Sequence, residues 1–208
     1  MAALRHVPSR SPRKAILGIA ETRRVVLTRD LVRRGIHRQA LTRLVATGEL
    51  ERVGRGVYRS PGADVTEHHG LVLAAAAVPQ GVVCLLSALS FHGVGTQLPH
   101  EVWLALDRRA RKPATTAVPL TLVRPSGAAL SFGIQTRRLE GQPVRIYSLA
   151  KTVADCFKYR NKIGIDVAVE ALRESLAEGR LNLAELEPAA RACRVSRVLR
   201  PYLEALTA

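Results

Sequence analysis

An α+β fold of two domains is predicted by three features of the sequence. Apolar residues recur at helical spacing near both ends, a glycine-punctuated pair of extended segments surrounds residue 55, and short β-branched runs lie between residues 102 and 147. At 208 residues, 47% of them apolar, the chain is long enough to bury a core without disulfides or metal. Its charge is lopsided: 32 Lys and Arg against 17 Asp and Glu give a net +15. Residues 1–65 hold 14 basic and 5 acidic residues (+9), and the rest hold 18 and 12 (+6). The excess is concentrated in the smaller segment, as suits a polyanionic partner. Cys84, Cys156 and Cys193 are widely separated and odd in number, so they read as reduced core thiols. No apolar run reaches the ~18 residues of a membrane span, and a cytoplasmic protein is expected.

Residues 1–12 carry two prolines and two arginines without an apolar period, which predicts a basic arm. Residues 13–64 form the first expected domain. A short helix runs from Arg13 to Glu21, and Val25-Val26-Leu27 makes a brief apolar step. Thr28 has the chemistry of an N-cap for a helix bearing Leu31 and Val32 that stops at Gly35. Ile36–Thr47 gives a second helix with Ala40, Leu41, Leu44 and Val45 on its inner stripe, and Gly48 ends it. Glu49–Val53 and Val57–Arg59 then flank the turn Gly54-Arg55-Gly56. Helix, turn, helix and hairpin in this order predict a winged helix-turn-helix, closed by the breaker cluster Pro61–Asp64.

Residues 65–208 predict a C-terminal α/β domain with a small, mostly antiparallel sheet and a helical bundle. Helices are expected at 67–77 and 85–92, and strands at Val102–Leu106, Leu120–Val123, Ile134–Arg137 and Val144–Tyr147. Helices follow at 149–159 and 167–178. Asn182 with Glu185 caps another to Ala192, which Pro188 should kink or split. A last helix carries Val198, Tyr202, Leu203 and Leu206, with Pro201 expected in its first turn.

The inner stripe of the second N-terminal helix leaves His37, Arg38, Gln39, Thr42 and Arg43 outward. These residues suit base edges in a major groove, where Arg pairs bidentately with guanine and Gln with adenine. Thr28, Arg29, Arg33 and Arg34 on the preceding helix, and Arg52, Arg55 and Arg59 on the wing, suit phosphates. Double-stranded DNA is the expected partner.

Catalytic and metal chemistry find no matching pattern. His68, His69, His92 and Cys84 lack the spacing of a four-ligand site, and Ser87 and Ser90 have no nucleophile elbow. Glu101, Asp107 and Lys112 do not form a compact nuclease-type set. Lys151, Asp155 and Lys158 share a helical face opposite Val153 and Phe157, with Arg160 and Lys162 beyond. They read either as a solvated, salt-bridged face or as an interaction surface. No enzyme activity, cofactor or metal is expected.

Three segments of the second half resemble a known family: Leu85–Gly93 (LLSALSFHG), Ile146–Gly164 (IYSLAKTVADCFKYRNKIG) and Asp166–Arg173 (DVAVEALR). Together with the wing turn Gly54-Arg55-Gly56-Val57-Tyr58, they are similar to the AbiEi antitoxins, transcriptional regulators of viral defence systems. The resemblance implies a type IV toxin–antitoxin pair. The N-terminal winged helix would repress its own operon, usually at inverted repeats, and the C-terminal domain would counteract AbiEii, a nucleotidyltransferase-like toxin. Under that reading Lys151, Asp155, Lys158, Arg160 and Lys162 are the candidate antitoxin surface. A stand-alone winged-helix transcription factor without a toxin is the alternative.

Overall fold

The computed structural model describes residues 11–64, 66–111, 113 and 116–207. Most of the predicted basic arm and Lys112 lie outside them. The protein is a mixed α+β structure in two compact units, one formed by the described residues up to His69 with Glu140–Gln142, the other by Gly70–Leu139 and the residues from Pro143 onward.

The first unit opens with α1 (Pro12–Arg23), whose start follows from sequence: Ser11 Oγ accepts from the Lys14 amide at 3.4 Å, and Pro12 occupies the first turn. β1 (Val26–Leu27), α2 (Thr28–Arg33), α3 (Gln39–Ala46), β2 (Glu51–Gly54) and β3 (Val57–Arg59) follow. The strands form an antiparallel sheet in the order β1-β3-β2, with Leu27 opposite Val57 and Arg52 opposite Tyr58. Ile16, Ile19, Val26, Leu31, Leu41, Leu44 and Leu50 make the core. Gly56 adopts φ +71° at the hairpin turn, and its carbonyl accepts from the Thr28 amide at 2.9 Å.

Three local expectations for this unit are corrected. Thr28 is not an N-cap: it is the first residue of α2, with Leu27 before it and no side-chain capping bond. α3 begins at Gln39 rather than Ile36, because the Ile36 amide turns back to Leu31 O and the Gln39 amide is taken by His37 Nδ1 at 3.2 Å. Val45 is 37% exposed, so the buried stripe of α3 rests on Leu41 and Leu44.

The second unit contains α4 (His69–Ala77), of which His69 groups with the first, then β4 (Val82–Val83), α5 (Leu85–His92), β5 (Val102–Ala105), β6 (Leu120–Val123), α6 (Ala128–Ser131), β7 (Ile134–Leu139) and β8 (Gln142–Tyr147), of which Gln142 groups with the first. It ends with α7 (Leu149–Lys158), α8 (Arg160–Ile163), α9 (Ile165–Ala177), α10 (Leu183–Cys193) and α11 (Ser196–Thr207). The sheet order is β6-β5-β4-β8-β7. It is mixed rather than mostly antiparallel: β4 runs antiparallel to β5 but parallel to β8, and β5 is parallel to β6. The central β4 was not expected, because at two residues it is too short to show an alternating pattern.

α7 is the hub of the helical layer, packing against α5, α9 and α10, with Val153, Cys156 and Phe157 fully buried. All three cysteines are buried free thiols. Pro188 does not split α10, and Pro201 lies beyond the first turn of α11. Each removes one backbone donor, and the acceptors so orphaned belong to Ala184 and Arg197, both exposed residues whose carbonyls water can satisfy.

His92 ends α5 with Nε2 at 2.8 Å from Tyr147 O. Burial lowers its pKa below the ordinary 6.5. The unfolded chain therefore takes up this proton more readily than the folded one, and His92 costs no stability above pH 6.5 but an increasing amount as the pH falls below it. Urea unfolding at pH 7.5 and 5.5 is expected to show a smaller acid loss for His92→Gln than for the parent chain. Equal losses would exclude His92 as the source.

Candidate nucleic-acid interface

α3 presents one face to solvent. His37, Arg38, Gln39, Thr42 and Arg43 are exposed while Leu41 and Leu44, at 1% and 3% exposure, anchor the opposite side. The helix is held at fixed height by the turn before it, where Gly35 N bonds Val32 O, and by its C-terminus, where the Glu49 and Leu50 amides return to Leu44 O. These outward residues thus stand on or just before a short helix backed by a core.

The phosphate candidates divide into two groups. Arg33, Arg34, Arg52 and Arg55 are exposed and make no ion pair among the described residues. Arg52 Nε does bond Gly54 O at 3.2 Å, which stiffens the hairpin. Arg59 is half-buried and ion-paired with Glu51 across the strands, and Arg29 is half-buried beside Asp30 at 4.0 Å. Both belong more to the framework than to the open surface. Thr28 is half-buried under the Gly56 turn, where a Cβ on Gly56 would stand 3.3 Å from its Oγ1.

Sequence reasoning missed the ion pair of Arg13 with Glu49, which joins the start of α1 to the loop after α3. The Arg13 hydrogen bond holds the Glu49 carboxyl below its usual range. Beside this pair a cavity of 550 Å³ opens against α3, lined in part by Pro12, His37, Gln39, Arg43 and Leu44. The residues are too far apart in sequence for any local pattern to signal it.

The candidate antitoxin surface fares differently. Lys151 and Asp155 are 0% and 2% exposed, so they cannot form a solvated or partner-facing patch. Lys151 Nζ instead meets Asp155 Oδ2 at 2.5 Å, lies 3.9 Å from the centre of the Tyr147 ring, and Cys193 Sγ donates to Asp155 Oδ1 at 3.2 Å. Lys158 is half-buried with Nζ 3.2 Å from Cys193 O, and Arg160 donates to Phe157 O at 2.9 Å. Lys162 is exposed, over the edge of the core at 5.2 Å from the Trp103 ring centre. The helical spacing was sound, but it placed the charged face on the wrong side: α7 is surrounded, and its polar residues are paired inside.

Residues 16–61 match the family model described as "Transcriptional regulator, AbiEi antitoxin". This stretch is AbiEi-like. It runs from α1 to the loop after β3 and includes every candidate DNA contact, so the AbiEi-like segment and the exposed face of α3 coincide. Segments 85–93, 146–164 and 166–173, which carry the resemblance drawn from sequence, lie outside the match. The fold is similar to that of a solved structure, the RV2827C protein from Mycobacterium tuberculosis, with a TM-score of 0.60 and 20% identity over 98% of this chain and 82% of that one. No curated protein matches the chain. No helix among the described residues is long and apolar enough to cross a membrane.

Proposed function

We propose that the first unit is a winged helix-turn-helix that binds promoter DNA, with α3 in the major groove and the β2–β3 hairpin as the wing. The observation that carries this reading is the exposed face of His37, Arg38, Gln39, Thr42 and Arg43, flanked by the exposed Arg52 and Arg55 that make no ion pair among the described residues, all within the AbiEi-like segment. Arg38, Gln39 and Arg43 read base edges; Arg33, Arg34, Arg52 and Arg55 hold phosphates. Charge reversal at Arg52 and Arg55 is expected to weaken binding to all sequences alike and to reduce the slope of log K against log salt by about two. An unchanged slope in a fluorescence-anisotropy titration would remove the hairpin from the interface.

The chain is, on this reading, a cytoplasmic antitoxin and autorepressor of an AbiE-type operon, without catalytic activity, acting at inverted repeats and countering a nucleotidyltransferase-like toxin. The domain limits follow: 13–64 for DNA binding, 65–208 for toxin antagonism. A full chain carrying alanine at Arg38, Gln39 and Arg43 separates the two roles. It is expected to stop repressing yet still rescue growth when the neighbouring toxin is expressed from an unrelated promoter. If the parent chain itself gives no rescue under the unrelated promoter, the chain is a stand-alone winged-helix transcription factor without a toxin partner.

A further inference from the structure

Within the second unit five cations converge on one cavity of about 390 Å³. Arg108 comes from the loop after β5, Arg124 from the end of β6, Lys158 from the last turn of α7, and Arg191 and Arg194 from the end of α10. Among the described residues no Asp or Glu lines it. Carboxylates lie around it rather than in its lining: Asp107, next to Arg108, accepts from the Arg109 amide at 2.8 Å, Glu187 lies 3.9 Å from Arg191 in an exposed pair that contributes little, and the buried Asp155, already paired with Lys151, acts on Lys158. Arg124 is fixed in place, one guanidinium nitrogen bonding both Asp107 O at 2.5 Å and Ala110 O at 2.8 Å, while its other donors stay unused by these bonds. Lys158 is steadied by Cys193 O. Arg108 and Arg194 are exposed and make no ion pair among the described residues. Tyr159 and Ser126 complete the polar lining.

Like charges brought together without a carboxylate repel one another, and a bound polyanion relieves that repulsion. A carboxylate ligand brings too little charge for five cations, whereas a triphosphate brings about four negative charges and oxygens that match guanidinium forks. A duplex spreads single phosphates along a surface; here the cations surround one concavity, of the size class of small-molecule sites, roughly 300–1,000 Å³. We infer that this cavity binds a condensed phosphate chain, the triphosphate of a nucleotide or inorganic tripolyphosphate.

Calorimetric titration of the full chain with ATP, tripolyphosphate and adenosine at physiological salt tests the assignment. Saturable binding of ATP is expected, with none of adenosine. Equal affinity for tripolyphosphate identifies the phosphate chain as the whole determinant, and tighter binding of ATP adds a contribution from the base beside Tyr159. Arg108→Ala with Arg191→Ala, both at exposed positions, is expected to weaken ATP at least tenfold without changing the melting temperature or promoter binding. Arg194→Asn gives an independent loss, since asparagine tolerates the left-handed backbone at φ +60°. The site is overturned if ATP shows no saturable binding, if the substitutions leave its affinity unchanged, or if only a single-stranded oligonucleotide competes for these residues.

Discussion

Alanine at Arg38, Gln39 and Arg43 together is expected to remove sequence-specific DNA binding while leaving the fold intact. Each bidentate contact between such a side chain and a base contributes about 1–3 kcal/mol of discrimination, so losing two or three lowers specific affinity by at least about thirtyfold. The fold survives because none of the three supports the core: all are exposed, and α3 is anchored by Leu41 and Leu44. The turn before α3 also survives, since the bond from the residue 39 amide to His37 Nδ1 uses backbone on one side. Alanine, a strong helix former, does not weaken the helix itself. Residual binding should be nonspecific and salt-sensitive, carried by Arg33, Arg34, Arg52 and Arg55. Anisotropy titrations with promoter and scrambled duplexes, alongside thermal melts, read this directly. A triple variant that still prefers the promoter by the parental margin would mean that another face of the unit reads the bases.

The elements between residues 13 and 60 that were legible have local signals. The glycines at 35, 48 and 56, and the spacing of Leu41 and Leu44, each specify a stop, a turn or a face within a few residues, whereas Ser11-Pro12, which starts α1, was read as part of the basic arm. Where a nonlocal contact decides, local reading fails. Thr28 looked like a cap, but its amide is engaged by Gly56, 28 positions away. β4 owes its central place to partners at 104–105 and 146 rather than to its own two valines. On α7 the period was right and the polarity misleading. A face of Lys151, Asp155 and Lys158 reads as solvent-facing unless one knows that Tyr147, Gly133 and Cys193 come from elsewhere to cover it.

That covered face yields the second large effect, at Lys151. Its ammonium and the Asp155 carboxylate sit together out of water, and taking either alone out of water costs far more than a surface pair ever returns. Lys151→Met, which keeps most of the stem volume but removes the charge, leaves Asp155 with the weak thiol of Cys193 as its hydrogen-bond donor among the described residues and with Lys158 as a more distant positive charge. A loss of about 3–5 kcal/mol in unfolding free energy is expected at neutral pH. Burial already pushes the Asp155 carboxyl upward, with Lys151 opposing the shift; removing Lys151 raises it further. A carboxyl with a raised folded pKa binds its proton more readily folded than unfolded, so the Met variant should regain stability as the pH falls toward the ordinary carboxylate range. Adding Asp155→Leu removes the stranded charge, and the double variant is expected to recover most of the loss, because an apolar pair of similar volume commonly equals a buried ion pair. Equilibrium urea unfolding of the parent, both single variants and the double variant at pH 7.5 and 5.5 measures the coupling. Additive losses, with no recovery in the double variant, would show that Lys151 contributes through the packing of its stem against Gly133, where an added Cβ would stand only 2.6 Å from the lysine Cβ, rather than through its charge.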